Sequence, residues 1–96
     1  MPAATRLNDN CTGHDACPPV PLAEGSPNVF TNGRPAGRRG DHYASHGCVS
    51  PPGHQDVIAA RSSTVFINGR PAARKREGVS IGGAVQDGSG NVFIGG

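Results

Sequence analysis

The chain has 96 residues, a formal net charge of +2 and an apolar fraction of 34%. A chain of this length forms one small domain with a thin core, and such domains often need a metal, a disulfide or a partner for stability. The charge is too small to demand a nucleic-acid partner, and no apolar run reaches the length of a membrane span. The start of the chain lacks the charged and apolar regions of a secretory signal, which predicts synthesis in the cytoplasm.

Residues 3–9 are the first copy of a motif that recurs at 35–41 and 71–77. Each copy has small residues, then an arginine, then an acidic residue three positions later. On an extended segment these two charged residues face opposite sides. Each arginine is therefore expected to pair with an acid from another copy. The alternative is that both the arginine and the acid are solvated. The arginines are Arg6, Arg38 and Arg74, and the acids are Asp9, Asp41 and Glu77.

Two β-hairpins are predicted over residues 29–38 and 65–74, where a Val-Phe-Thr or Val-Phe-Ile run meets an Asn-Gly pair. Asn-Gly between β-rich runs is the strongest short hairpin signal, because both residues tolerate the positive φ of a type I′ turn. Residues 91–96 repeat only the first half of this hairpin. A third hairpin forms only if they pair with residues 3–9, so the repeat predicts a closed, roughly three-fold domain rather than an open solenoid.

The apolar content of the hairpins predicts where the core lies. Three Val-Phe pairs recur, and adjacent residues on a strand point to opposite faces. One member of each pair is expected to form a central three-fold cluster and the other to cover the flank, so that all six are ordinary core residues. They are Val29, Phe30, Val65, Phe66, Val92 and Phe93.

Three connections join these segments, at residues 10–25, 42–62 and 78–89, and prolines stiffen the first two. The third has no cysteine and no histidine, whereas the first two contain all of both. At most one short helical stretch is expected, around residues 55–60. Two loops that meet at one end of a three-fold body are well placed to share a single metal ion.

Zinc suits such loops, since it takes four imidazole or thiolate ligands and contributes folding energy that a thin core lacks. We select His14, His46, Cys48 and His54 as the ligands, with Cys11, Cys17 and His42 as alternatives. The odd number of cysteines argues against a disulfide framework. Nothing marks Asp15 or Asp56 as a general base, so the zinc is predicted to be structural and the protein is not predicted to be an enzyme.

Several segments together carry a family resemblance. They are Pro71-Ala72-Ala73-Arg74, its variant Pro35-Ala36-Gly37-Arg38, Thr12-Gly13-His14 in the first connection, and the runs 25–30, 62–69 and 90–95. Over nearly the whole chain the sequence resembles the proline-alanine-alanine-arginine (PAAR) repeat proteins, the spike tips of type VI secretion systems and contractile phage tails.

The resemblance implies an all-β, pseudo-three-fold conical fold of short β-hairpins with a zinc near the apex, held by three histidines and one cysteine. This ligand type fits His14, His46, Cys48 and His54. Two departures are Cys17, which lies farther from His14 than the corresponding cysteine in many similar sequences, and Glu77, which stands where aspartate is usual. The first leaves the ligand set open, and the second is expected to change little.

The implied function is structural: a membrane-piercing tip that caps a trimeric β-helical spike of the valine-glycine-repeat or phage type, with one tip per trimer. The base is expected to present apolar groups and backbone edges to that trimer. Because the chain stops at Gly96, residues 1–96 are interpreted as a single domain without an effector, so any effector cargo is expected to bind non-covalently.

The tip is expected to be assembled on the spike, to contact the target membrane only transiently, and to leave the cell or travel in the virion. The sequence does not separate a secretion apparatus from a phage tail. The alternative is a small zinc-stabilised nucleic-acid-binding module that uses Arg70, Arg74, Lys75 and Arg76, but no aromatic platform interleaves these charges.

Overall fold

The computed structural model describes residues 1–13, 18–44, 56–60, 62–80 and 82–95. Four short strands lie in this part of the chain: β1 (Phe30–Thr31), β2 (Arg34–Pro35), β3 (Phe66–Ile67) and β4 (Arg70–Pro71). The same residues form no helix, and therefore none that is long and apolar enough to span a membrane. The fold is all-β, as predicted.

Both hairpins form as predicted, with β1 antiparallel to β2 and β3 antiparallel to β4. Phe30 pairs with Pro35 and Phe66 pairs with Pro71. Each turn asparagine has φ 54°, and the following glycines have φ 75° and 77°. Positive φ at both turn residues is the type I′ geometry that the Asn-Gly pairs predict.

The two ends of the chain complete a third hairpin, which confirms the central prediction from the repeat. Ala3 pairs with Phe93 in an antiparallel bridge. The Ala4 N–H donates to the Val92 carbonyl at 2.9 Å, and the Ile94 N–H donates to the Pro2 carbonyl at 2.9 Å. The bond from Ala4 repeats the bonds by which Ala36 and Ala72 donate to Val29 and Val65 in the continuous hairpins.

The three units close into a ring around a common axis. Bridges join each unit to the next: Arg6 to Ala36, Arg38 to Ala72 and Arg74 to Ala4. Next to these bridges, a cycle of backbone hydrogen bonds runs from Thr5 to Ala73 (3.2 Å), from Ala73 to Gly37 (3.0 Å) and from Gly37 back to Thr5 (3.0 Å). An open solenoid has no such cycle, so the arrangement is a closed set of three equivalent units.

The core consists of two clusters, and it does not contain the Val-Phe pairs. Among the described residues, the hairpin cluster contains Ala4, Ala36, Ile67, Ala72 and Ile94. The connection cluster contains Cys11, Leu22, Tyr43, Ile58, Ala60, Ala73, Val79 and Val85. The prediction of a Val-Phe core was wrong for the three phenylalanines and for Val29 and Val92, which are exposed. Only Val65 is partly buried against the hairpin cluster.

Strand alternation explains this difference. In each hairpin the residue after the phenylalanine is the one that points inward, and these residues, Thr31, Ile67 and Ile94, are buried. Their orientation sends each phenylalanine to the opposite face. Alanines are the other buried members of the hairpin cluster.

The arginine of each copy pairs with the acid of its own unit, which corrects the expectation of an inter-unit pair or of solvation. Arg38 Nη2 lies 2.8 Å from Asp41 Oδ1. Arg6 Nε lies 2.9 Å from Asp9 Oδ2, and Arg74 Nη2 lies 2.9 Å from Glu77 Oε2. These segments are not extended between the two charges. Positive φ at Asn8, Gly40 and Arg76 turns each one back on itself.

The predicted helical stretch around 55–60 does not form in the part that the structure describes, residues 56–60. Val57 forms a bridge with His42, and Ile58 forms one with Val79. The apolar side chain of Ile58 is buried in the connection cluster. Pairing with two neighbouring segments therefore determines its conformation.

Candidate functional site

The predicted zinc ligands His14, His46, Cys48 and His54 lie outside the described residues, as does the alternative Cys17. The described ranges contain no group of three or more His, Cys, Asp or Glu side chains suited to a metal ion. The ligand set therefore stays a prediction. Described residues near the two segments are in contact with one another.

The ends of both ligand-bearing segments meet in one hydrogen-bonded layer. Leu22 forms a bridge with Tyr43, and the Ala44 N–H donates to the Pro21 carbonyl at 2.8 Å. The Tyr43 N–H donates to the Asp56 carbonyl at 2.9 Å. The two flanks of segment 45–55 are thus bonded to each other, and one of them is bonded to residues 21 and 22, which follow segment 14–17.

Two of the alternative ligands lie in the described part of the chain. Cys11 is a free thiol buried in the connection cluster. The ring nitrogen Nδ1 of His42 hydrogen-bonds to the Glu24 carboxylate, which also accepts the His42 backbone N–H at 2.8 Å. These hydrogen bonds lower the pKa of Glu24. Cys11 is thus a core residue, and His42 keeps only Nε2 for another partner.

A polar layer joins the hairpins, and the sequence analysis missed it. Ser26 Oγ donates to Asn68 Oδ1 at 2.6 Å, and Arg38 Nη1 donates to the same oxygen at 3.1 Å. The equivalent donors Ser89 and Arg6 meet at Asn32 Oδ1, at 2.5 and 3.0 Å. At each of these two junctions, the turn asparagine that shapes its own hairpin also accepts hydrogen bonds from the neighbouring unit.

The third junction has no turn asparagine, and a backbone carbonyl takes its place. The Gly95 carbonyl accepts from Ser62 Oγ at 3.0 Å and from Arg74 Nη1 at 3.1 Å. The same serines also accept the backbone N–H groups of Val29, Val65 and Val92. The recurring serine before each hairpin was the available signal in the sequence.

These bonds hold an apolar surface on the three hairpins. Phe30, Phe66 and Phe93 occupy equivalent positions and are 57%, 56% and 50% exposed. We call these three side chains the phenylalanine face. Large exposed apolar side chains at equivalent positions are candidates for an interaction surface.

The four cations proposed for nucleic-acid binding differ in whether they already have a partner within the described residues. Arg70 contacts Asp41 at 3.3 Å, and Arg74 is held by Glu77 and the Gly95 carbonyl. Lys75 and Arg76 are exposed, and neither side chain has an ion pair or hydrogen bond within the described part of the chain. Only two of the four are therefore free to contact a partner.

No protein-family model matches this chain, and no curated protein matches it. The resemblance to PAAR-repeat proteins therefore remains a prediction from the motifs.

Proposed function

We propose that the protein is the tip that caps a trimeric β-helical spike in a contractile injection machine, with a structural rather than catalytic role. The observation that carries this proposal is the phenylalanine face. One chain presents three equivalent, half-exposed phenylalanines from a closed set of three units. A partner with three-fold symmetry can contact all three in the same way.

The symmetry gives the stoichiometry. A trimer offers three identical surfaces around one axis, and one copy of this chain offers three nearly identical surfaces around its own. A single tip therefore satisfies the whole trimer. The exposed backbone edges of the short hairpins are then covered by the spike rather than left open to aggregation.

The apolar area is large enough to matter. A phenylalanine presents roughly 200 Å², so each one has about 100 Å² left to bury on the spike. At about 25 cal/mol per Å², this burial contributes about 2.5 kcal/mol per phenylalanine. In each unit a serine accepts the N–H of the valine before the phenylalanine and fixes the backbone there, so little ordering opposes binding.

We also propose that the domain narrows from the phenylalanine face toward the two metal-bearing segments, giving the conical shape of a tip. His14, His46, Cys48 and His54 would hold the zinc. When bound, zinc cross-links the two segments and supplies folding energy. The hydrogen bond from the Ala44 N–H to the Pro21 carbonyl, between residues near the two segments, supports this assignment.

On this proposal the protein is made in the cytoplasm, joins the spike there and contacts the target membrane only as the spike passes through. The host machine is a type VI secretion apparatus or a phage tail. The motif resemblance supports both equally, since both use a trimeric spike.

The test is binding of the purified protein to the β-helical spike trimer encoded in the same genome, measured by native mass spectrometry and by titration. We expect one chain per trimer. Substitution of Phe30, Phe66 and Phe93 by alanine should weaken binding by roughly thirtyfold for each residue, since each change removes about 2 kcal/mol.

Gln86→Ala is the matched control, because Gln86 is exposed and lies outside the hairpins. It should bind the spike as the parent does. Three chains per trimer, or a triple alanine variant that binds with unchanged affinity, would contradict the proposal.

A further inference from the structure

The three corners between the units are not alike: an arginine side chain crosses two of them, and a proline stands at the third. At the first corner, Arg34 lies across the junction, with Nε donating to the Leu7 carbonyl at 2.8 Å and Nη2 donating to Asp9 at 2.9 Å. At the second, Arg70 donates to Asp41 at 3.3 Å. Pro2 stands in the equivalent place at the third corner, as its bond from Ile94 shows, and proline has no guanidinium.

A cavity of about 470 Å³ lies at this third corner. We call it the seam pocket. The side chains of Met1, Pro2 and Phe93 supply apolar wall, and the charged side chains of the lining are those of Lys75 and Arg76. Both cations are exposed and lack a partner within the described residues. A ligand for this pocket therefore carries negative charge beside apolar groups.

The backbone of Arg76 gives a second, independent indication. Its φ is 77°, in the left-handed region, and the equivalent residues of the other units are Asn8 and Gly40. Asparagine and glycine tolerate this conformation, whereas arginine is strained there. Strained residues of this kind cluster at functional sites. An arginine held at a cost, with its side chain free and facing a pocket, indicates that the side chain has a partner outside the chain.

We propose that the seam pocket binds an acidic peptide segment of a partner protein, with Lys75 and Arg76 contacting its carboxylates and Phe93 contacting an apolar side chain. Two separated cations beside an apolar wall match a segment in which acids flank a leucine-type residue. The pocket shares Phe93 with the proposed spike contact. The peptide is therefore tested on the free chain, where its binding does not depend on the spike.

The corners differ although the units are alike. Arg34 and Arg70 cross the first two corners, and Pro2 stands at the third. One acidic segment is therefore expected to bind per chain.

The experiment measures fluorescence anisotropy of a labelled, acetylated and amidated peptide with the sequence Gly-Glu-Glu-Leu-Glu-Glu-Gly, at low and moderate salt. A counterpart with glutamine in place of every glutamate measures the contribution of charge. We expect saturable one-to-one binding of the acidic peptide, weakened by salt, and at least tenfold weaker binding of the glutamine peptide.

Three variants locate the site. Lys75→Gln and Arg76→Gly should each weaken binding about five- to tenfold, as expected for loss of one charge-assisted contact. Pro2→Arg should abolish it, because an arginine there is expected to cross the corner as Arg34 and Arg70 do. Arg39→Gln is the matched control: Arg39 is an exposed cation at the position equivalent to Lys75, beside a corner that Arg70 fills, and its loss should leave the affinity unchanged.

Several outcomes would overturn the proposal. They are absence of binding at low salt, equal binding of the two peptides, and an equal effect of Arg39→Gln and Lys75→Gln. Preferential binding of a single-stranded oligonucleotide at matched salt would also overturn it, since that result assigns the two cations to phosphates. Arg76→Gly is expected to fold more stably than the parent, so lost binding in this variant cannot come from unfolding.

Discussion

Replacing Arg76 by glycine is expected to stabilise the protein. Arg76 has φ 77°, and a residue with a Cβ atom in the left-handed region costs about 1–2 kcal/mol. Glycine removes that strain but loses about 0.5–1 kcal/mol through the greater freedom of the unfolded chain. The difference is a gain of about 1 kcal/mol, with no native hydrogen bond lost, because Arg76 donates to the Val85 carbonyl through its backbone N–H.

Thermal unfolding of the zinc-saturated protein checks this value, since 1 kcal/mol raises the Tm of a domain this size by about 4–8 °C. Gly40→Ala is the reciprocal variant. It places a Cβ at φ 86° where no atom lies within 4 Å, so its cost comes from the backbone conformation and not from packing. This variant should lower the Tm by a similar amount.

Lys75→Gly is the control for a general effect of glycine. Lys75 does not have positive φ, so glycine brings only the entropic cost there and should lower the Tm by a few degrees. If Arg76→Gly lowers the Tm as Lys75→Gly does, the assignment of strain at Arg76 is refuted. A rise in Tm together with lost acidic-peptide binding would show that the arginine is kept for its partner.

Three further predictions concern the core and the metal. Asp41→Asn should lower the free energy of unfolding in urea by about 3–5 kcal/mol. The buried carboxylate accepts hydrogen bonds from Arg38 and Arg70, and an asparagine amide can accept only some of them. A loss below about 1 kcal/mol, close to that of the exposed control Gln86→Ala, would show that these ion pairs are unimportant for stability. Burial raises the pKa of Tyr43, so its contribution to stability is complete below the unfolded-state pKa of about 10 and is lost as the pH rises from there toward the folded-state value. The free energy of unfolding should therefore fall above about pH 10, and Tyr43→Phe should flatten this fall; an unchanged slope would assign the alkaline transition to other groups. Metal analysis should find one zinc per chain. Chelation, or substitution of any one of the four predicted ligands, should remove the zinc and lower the Tm, whereas His42→Ala should retain it. Zinc that is retained after substitution of His14 or Cys48 would reject that residue as a ligand.

The repeat in the sequence predicts the hairpins and their arrangement, because turn type and strand register depend on residues close together in the chain. Asn32-Gly33 and Asn68-Gly69 predict type I′ hairpins, since few other residue pairs adopt positive φ twice in succession. The split third copy predicts pairing of residues 91–94 with the start of the chain. The clustering of histidine and cysteine in two connections likewise predicts a metal site, whose ligands remain to be tested.

Other features were decided only by tertiary structure, because they depend on which side of a short strand faces the axis. Two-residue strands have too little alternation to show that Phe30 points outward while Thr31 is buried. The pairing of Arg38 with Asp41 depends on a left-handed residue between them, and the sequence has Asn8, Gly40 and Arg76 at that position, with no common signal. The seam pocket arises because Pro2 meets a corner that arginines fill elsewhere, and this comparison exists only once the ring of three units has closed.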